Sequence, residues 1–412
     1  MEKKQQIPVG NFILVINAGS SSLKFAVYQC QTIKREYSGL IKNIGKEFSS
    51  LKINDANSVA VSVKKAVYQN IDEAASGIIS WLKTIQSKCF ISSVGYRLVQ
   101  GGPHHRSPEV ITDELLEDLT KFIFLAPNHL PDELALIKKF RSAFPDLTHV
   151  ACFDTNFHRD MPDQAKYYAL PEKFKGQGLI RYGFHGLSYE YIMDKLDRNF
   201  AYINQKKIII AHLGSGSSMA AVSFGKCIDT TMGVSPIGGL VMSTRSGDLD
   251  PGAILFMLKQ SKMTVEELDN VLSHESGMKA IAGTGNMEEL LKNASFDKRA
   301  EAAVNLFCCQ AKKFIGALAA ALGGLDILIF TGGVGENSPQ IRERICADMD
   351  FMGVKLDRLR NQDTQKIISC QSSKVSIMVF ETNEERMIAL HTKKIGSHLA
   401  EDEMALNASV NP

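Results

Sequence analysis

The stretch Ile208-Ile-Ile-Ala-His-Leu-Gly-Ser-Gly-Ser-Ser-Met-Ala-Ala-Val222 limits what this chain can fold into more than any other. Three isoleucines in a row read as a short strand buried on both faces. Gly214 and Gly216 impose a tight turn, and a second apolar run, Met219 to Val222, returns beside the first. A strand–turn–strand of this kind presents backbone N–H groups and hydroxyls at its tip, with no bulky side chain to keep a phosphate away. In isolation it reads as a plain β-hairpin with a polar turn.

The chain repeats the arrangement. In Ile16-Asn-Ala-Gly-Ser-Ser-Ser-Leu-Lys-Phe-Ala-Val-Tyr28, residues Gly19, Ser20, Ser22, Ala26 and Val27 fall on Gly214, Ser215, Ser217, Ala221 and Val222 at one constant offset. Each copy follows an apolar strand, Phe12 to Ile16 and Ile208 to Ala211. A repeat so widely spaced is no solenoid. It implies two related domains, each offering a phosphate-sized turn to one cleft. A length of 412 residues is too great for one core and fits two domains.

A net charge of +2 gives no electrostatic case for nucleic acid or an anionic membrane. The opening Met1-Glu-Lys-Lys-Gln-Gln is polar, and the apolar stretch after it is too short for a signal-peptide core or a membrane span. Cysteines at 30, 89, 152, 227, 308, 309, 346 and 370 show no metal-ligand spacing, and free thiols in a reducing cytoplasm are the simplest account.

Short strands are expected around Leu51–Ile53 and Val59–Val63, then a helix over Ile71–Ile85 opened by Asp72 and Glu73. The run from Ser93 to Gly102 reads as a strand entering a Gly-Gly turn, with Arg97 inside it. An Arg there needs an anion, either a ligand or a structural carboxylate. Thr112 caps a helix from Asp113, and a Pro-bounded loop holding His129 precedes another from Asp132 to about Phe144. The domain boundary is placed near Pro145, giving 1–150 with a returning helix 386–412, and 151–385. Asp154 ends an apolar strand, a common position for site residues in α/β folds. His185 lies between Phe184 and Gly186 just before a helix from Ser188. The long segment 229–251, with Arg245, Asp248 and Asp250, reads as a functional loop. Ala300–Leu322 has helical amphipathicity. Leu325–Asn337 reads as a buried strand, a glycine-rich turn and a helix start, able to hold a phosphate or admit a flat ring. A final helix follows Arg386, and the polar tail from Ser397 is expected to fray.

Three glycine-rich turns, two arginines in Gly-flanked segments, a histidine and several carboxylates suit phosphoryl transfer, which needs positioning and charge neutralisation more than covalent chemistry. No Walker or protein-kinase signature is present.

In this order, Val15–Lys24, Arg97 with Gly101-Gly102, Phe153-Asp-Thr, Arg181–Gly186, His212-Leu-Gly, Thr244–Asp248, Phe330–Asn337 and Thr382–Glu385 resemble the acetate kinase family of short-chain carboxylate kinases. The resemblance runs nearly end to end. It implies an α/β fold of two actin-like, ribonuclease-H-like domains (duplicated βββαβαβα) around a nucleotide cleft, in a homodimer. It implies the reaction ATP + acetate = ADP + acetyl phosphate, with Mg2+ or Mn2+, and no nucleic-acid or membrane partner. By the same resemblance, Asn17 and Glu384 hold the metal. Arg97 and Arg245 clamp carboxylate and phosphoryl group, His185 stabilises the transferring phosphoryl, and Asp154 is the catalytic carboxylate. Val99, Phe184 and Pro236 line the pocket for the substrate methyl, and His129 lies near the active site. Lys24, the segment His212, Leu213, Gly214, Ser215 and Gly216, the segment Asn286, Met287 and Glu288, and the segment Gly333, Val334, Gly335, Glu336 and Asn337 contact the nucleotide.

The chain departs from the family pattern at Tyr96 and Gln100, where histidines are usual, at Asn128 for a pocket Leu, at Ser215 for Asn, and at Gly238 for Glu. The family's Asp-x-Arg element is replaced by Asn286 and Glu288, removing a cation beside the base. Asn128 and the 283–289 region leave room for another short acid, such as propionate or butyrate, or another phosphoryl donor. A non-catalytic nucleotide-binding protein of the same fold is the third reading.

Overall fold

The computed structural model describes residues 11–19 and 22–410. Ser20 of the first turn lies outside the described residues, as does Ser21. The chain divides into two compact units, the first running to Asn156 and resuming at Asn383, the second spanning Phe157–Thr382.

In the first unit the strands are β1 (Asn11–Gly19), β2 (Ser22–Gln29), β3 (Arg35–Lys42), β4 (Ser49–Asp55), β5 (Ala60–Ala66), β6 (Phe90–Leu98), β7 (Glu109–Val110) and β8 (Thr148–Phe153). They form one sheet in the order β5-β4-β3-β2-β1-β6-β8-β7. Strands β1 to β5 are an antiparallel meander, while β1, β6 and β8 run parallel. The second unit holds β9 (Ile208–Leu213), β10 (Ser217–Ser223), β11 (Lys226–Thr230), β12 (Ile327–Thr331) and β13 (Ser376–Val379), in the order β11-β10-β9-β12-β13. Again the first three are antiparallel and β9, β12 and β13 parallel. The two sheets therefore share a five-strand core, β3-β2-β1-β6-β8 matching β11-β10-β9-β12-β13.

The duplicated turns close two hairpins in different registers. Gly19 pairs with Ser22 in the first, and Leu213 with Ser217 in the second. The constant offset seen in the sequence thus holds for β2 and β10 and slips by one residue on β1 and β9. Strand β9 is buried along its whole length, as three consecutive isoleucines require. Ile209, Ala211 and Leu213 face the core under the 298–322 helix, and Ile208 and Ile210 face the core under the 186–199 helix.

Helices cover both faces of these sheets. Ile71–Ile85 is capped by Asn70, whose side chain accepts from the Glu73 amide, and Thr112 caps Asp113–Lys121 through the Leu115 amide. In the first unit Trp81 packs on Phe25, with ring centroids 5.3 Å apart. Residue 39 must be glycine there, because a Cβ would stand 2.0 Å from the Phe25 ring. The last helix, Glu384–Val410, lies on β1, β6 and β8. A Cβ on Gly95 would meet Thr392 Oγ1 at 2.1 Å, so this glycine sets how closely that helix approaches. The helix continues through the tail expected to fray.

Strand β3 was not legible because Arg35–Lys42 alternates only weakly between buried and half-buried positions. Strand β13 is four residues long and reads as one apolar patch before Phe380.

Candidate active site

In the first unit, the parallel strands β1, β6 and β8 deliver Asn17, Arg97 and Asp154 at their carboxyl ends, where ligands of open α/β sheets bind. Arg97 donates from Nε and Nη2 to Asp154 Oδ2, at 3.1 and 2.6 Å, and from Nη1 to the Ala18 carbonyl at 3.0 Å. Asp154 is 1% exposed. Burial alone would ease the proton off Arg97, but Asp154, Glu384 and Glu133 more than offset this and hold the guanidinium charged. One N–H on each terminal nitrogen of Arg97 has no partner among the described residues, a fork free to take a second anion. The structural and the functional partner proposed for this arginine can therefore coexist.

Asn17 Nδ2 donates to Glu384 Oε2 at 3.3 Å and to Glu385 Oε1 at 3.1 Å, joining β1 to the first turn of the last helix. Val99 is buried one residue past β6, and its amide is held by Glu133. His129 stands at the N-cap position of the Leu130–Ala143 helix, with Asn128 before it. The two histidine replacements are absorbed internally. Tyr96 bonds through its hydroxyl to His149 at 2.8 Å, and the buried Gln100 accepts the Gly102 amide. Lys24 is exposed on β2, directly across the hairpin from Asn17, and shares a groove with Glu385. With Arg35, Lys42 and Lys52 it lines this groove of about 550 Å3 on the sheet face.

In the second unit the β9–β10 turn is the meeting point. A Cβ on Gly216 would lie 3.3 Å from His185 Nε2 and 3.4 Å from Arg245 Nη1, so both side chains converge on this glycine. His185 stacks on His212, with centroids 4.3 Å apart and planes at 18°. Its Nδ1 meets Ser218 Oγ at 2.8 Å, and His212 Nδ1 meets Ser188 Oγ at 2.8 Å. Arg245 donates to the Pro236 carbonyl.

His185 has φ of +59°, a left-handed conformation unusual for a side-chain-bearing residue. His158 holds this loop. Burial pushes its imidazole down to about 4, so it is neutral at physiological pH. Nε2–H donates to the Phe184 carbonyl, which leaves Nδ1 to accept from the Cys227 thiol, itself kept protonated by burial. Phe184 is 2% exposed and contributes that carbonyl.

Beside the turn opens a cavity of about 990 Å3, lined by Gly214, Ser215, Asn286, Met287, Glu288, Gly333, Val334 and Asn337 among others. Most of the nucleotide segments read from the sequence thus meet in one place. His212 and Leu213 lead into it on β9, and Gly216 lies just beyond. Gly335 packs against Phe330 in the turn after β12. Glu336 faces inward instead: its Oε1 accepts from Thr331 Oγ1 and from the Gly332 and Thr382 amides, fixing the turn. Lys292 also lines the cavity, paired with Glu288 one helical turn away at 2.7 Å. It places an ammonium on the cavity wall, and its i,i+4 spacing was there to be read. Glu133, His158 and Arg342 gave no such signal.

Two units with one strand order, each with a strand–turn–strand at its sheet end, make this a protein of the actin-like ATPase fold. It belongs to the acetokinase family, whose model matches residues 12–390. It is 41% identical to the acetate kinase of Thermoanaerobacterium thermosaccharolyticum over 93% of this chain and 98% of that one. With the acetate kinase of Bacteroides thetaiotaomicron it shares 40% identity, over 93% and 99%. Among solved structures, a propionate kinase from Francisella tularensis superimposes with a TM-score of 0.88 at 33% identity, over 93% of this chain and 100% of that chain. Porphyromonas gingivalis acetate kinase gives 0.83 at 34%, over 93% and 99%. Like its family, the chain is a transferase that phosphorylates a carboxylate.

Proposed function

We propose that this chain transfers the γ-phosphoryl group of ATP reversibly to acetate, giving acetyl phosphate and ADP. The convergence of His185 and Arg245 on Gly216, beside a cavity lined by Gly214 and Ser215, carries this reading. A nucleotide seated in that cavity would lay its phosphates along the turn amides and end at a histidine and an arginine. In the transfer an acetate oxygen bonds to the γ-phosphorus while the bond to the β,γ-bridging oxygen breaks. Acetate attacks as an anion, so no proton has to be removed. Asp154 is then less a base than the partner that orients Arg97, whose free fork takes the carboxylate, with Val99 against the methyl.

Asn17 and Glu384, with Glu385 beside them, fit Mg2+, or Mn2+ in its place. An amide oxygen and carboxylates are the hard donors such an ion takes, and it keeps few protein ligands when it shares substrate phosphates. When bound, the ion neutralises charge on the β- and γ-phosphates. Glu384→Ala is expected to raise the Mg2+ concentration for half-maximal rate by about tenfold or more. An unchanged magnesium dependence would remove Glu384 from the metal site.

The functional test is a hydroxylamine trap for acyl phosphate, with C1–C4 carboxylates and ATP, GTP or pyrophosphate. Hydroxamate should form fastest with acetate and ATP. Preference for another acid or donor would overturn the assignment.

We further propose a homodimer. The Pro251–Lys259 helix is mostly apolar yet has no buried residue, and Leu255 and Phe256 are 51% and 62% exposed. Phe256→Asp is expected to turn a dimer into a monomer in light scattering behind size exclusion, and a monomeric wild type would refute the assembly. No described helix is long and apolar enough to cross a membrane. The free cysteines and the ATP substrate suit the cytoplasm.

A further inference from the structure

Glu133 lies in the first turn of the 130–143 helix, where an acid normally faces water and the helix dipole. Here it is 3% exposed. Its two carboxyl oxygens stand 3.3 and 3.1 Å from the Val99 amide, two residues past Arg97. The charged groups that act on it are Arg97 on β6, Asp154 at the end of β8, and Asp132 on its own helix. It acts in turn on Arg97, after Asp154 and Glu384.

We propose that Glu133 is a positioning residue for the carboxylate substrate: it fixes the strand end that carries Arg97 and Val99, and its charge sets how tightly Arg97 takes an anion. This rests on Arg97 being the carboxylate clamp. Either protonation state leaves an oxygen to accept the Val99 amide, so ionisation changes charge without releasing the strand. With Glu133 neutral, Arg97 faces the charges of Asp154 and Glu384 alone. With Glu133 ionised, the cluster has gained a negative charge that repels an incoming carboxylate.

Burial, opposed by Arg97, pushes the Glu133 carboxyl up to about 7. The sign follows: acetate should bind more tightly below neutral pH and more weakly above it. By reciprocity, acetate binding should raise the affinity of Glu133 for its proton, so binding near pH 7 should take up protons.

The experiment is the pH dependence of the KM for acetate from about pH 5.5 to 8.5 at saturating ATP, a range in which acetate stays ionised. In the wild type KM should rise about threefold to tenfold across neutrality. Calorimetry in two buffers of different ionisation enthalpy should show proton uptake. Glu133→Gln, neutral at every pH and able to accept the Val99 amide, should hold KM low and flat and abolish the proton uptake. Glu133→Leu, with no acceptor, should raise KM at all pH values. A flat wild-type profile overturns the proposal without any variant, as does a Glu133→Gln profile that follows the wild type. Arg97→Ala measured alongside separates the two readings. An unchanged KM there removes the clamp itself, whereas a raised KM with Glu133→Gln tracking wild type removes only the role of Glu133.

Discussion

Arg97→Ala is expected to lower kcat/KM for acetate by about a thousandfold, the scale on which a single charge-stabilising group acts in a desolvated site. The structure gives the side chain two tasks that alanine abolishes together. Its Nε and Nη2 hold Asp154, and its Nη1 ties the end of β6 to the Ala18 carbonyl at the end of β1. The remaining N–H fork is what a substrate carboxylate would meet. Losing the guanidinium also leaves a carboxylate that is 1% exposed without its cation, and breaking a buried pair costs about 3–5 kcal/mol. The variant should therefore melt earlier as well as turn over slowly. Arg97→Lys discriminates between charge and geometry. A lysine keeps the charge but cannot bridge Asp154 and Ala18 while presenting a fork, so its kcat/KM should stay closer to the alanine variant than to the wild type. Steady-state kinetics with acetate varied, beside a circular-dichroism melt, checks both. An Arg97→Ala enzyme within threefold of wild type would remove Arg97 from the acceptor site.

What the sequence made legible were the features carried by local pattern. Three isoleucines before a glycine turn specify a buried strand and hairpin, and the helix over Ile71–Ile85 has its cap and amphipathic period in plain view. The glycine turns were legible too, and the roles of the candidate site residues at strand ends were named through the family resemblance rather than by local pattern. Residues that act through another residue were not. Glu133 has the sequence signature of an ordinary helix-opening acid, and only the packing of its helix against β6 buries it. His158 bonds to a carbonyl 26 residues away and to a thiol 69 residues away, separations that no window resolves. The hairpin register slipped for a similar reason: side-chain similarity fixes β2 against β10, but the lengths of the turns decide what pairs across them.

Arg342 is a stronger case of the same kind, and its replacement carries a stability effect as large as that of Arg97. In Gln340-Ile-Arg-Glu-Arg344 it looks like one of several surface charges. It is instead 0% exposed. Its five N–H donors are all used: Nε on Asn361 Oδ1, Nη1 on the Gly335 and Glu336 carbonyls, Nη2 on the Asn361 carbonyl and Thr364 Oγ1, at 2.8 to 3.2 Å. No carboxylate shares the bonding, and burial lowers its pKa to about 10, so it is still a cation at neutral pH. A charge held this way is stabilised by neutral carbonyl and hydroxyl dipoles. Two of the five acceptors belong to the Gly332–Asn337 turn, whose Gly333, Val334 and Asn337 line the large cavity. Arg342→Ala strands these acceptors in the core and leaves a void, so a loss of about 3–5 kcal/mol is expected in urea unfolding. Arg342→Lys should recover little of it, since one ammonium cannot reach both the 335–336 carbonyls and the 361–364 acceptors. Nucleotide affinity should fall in both variants, and hydrogen exchange at 332–337 should quicken more than at β10, which is two strands from β12. A loss below about 1 kcal/mol would mean that the turn is held by Glu336 and not by Arg342.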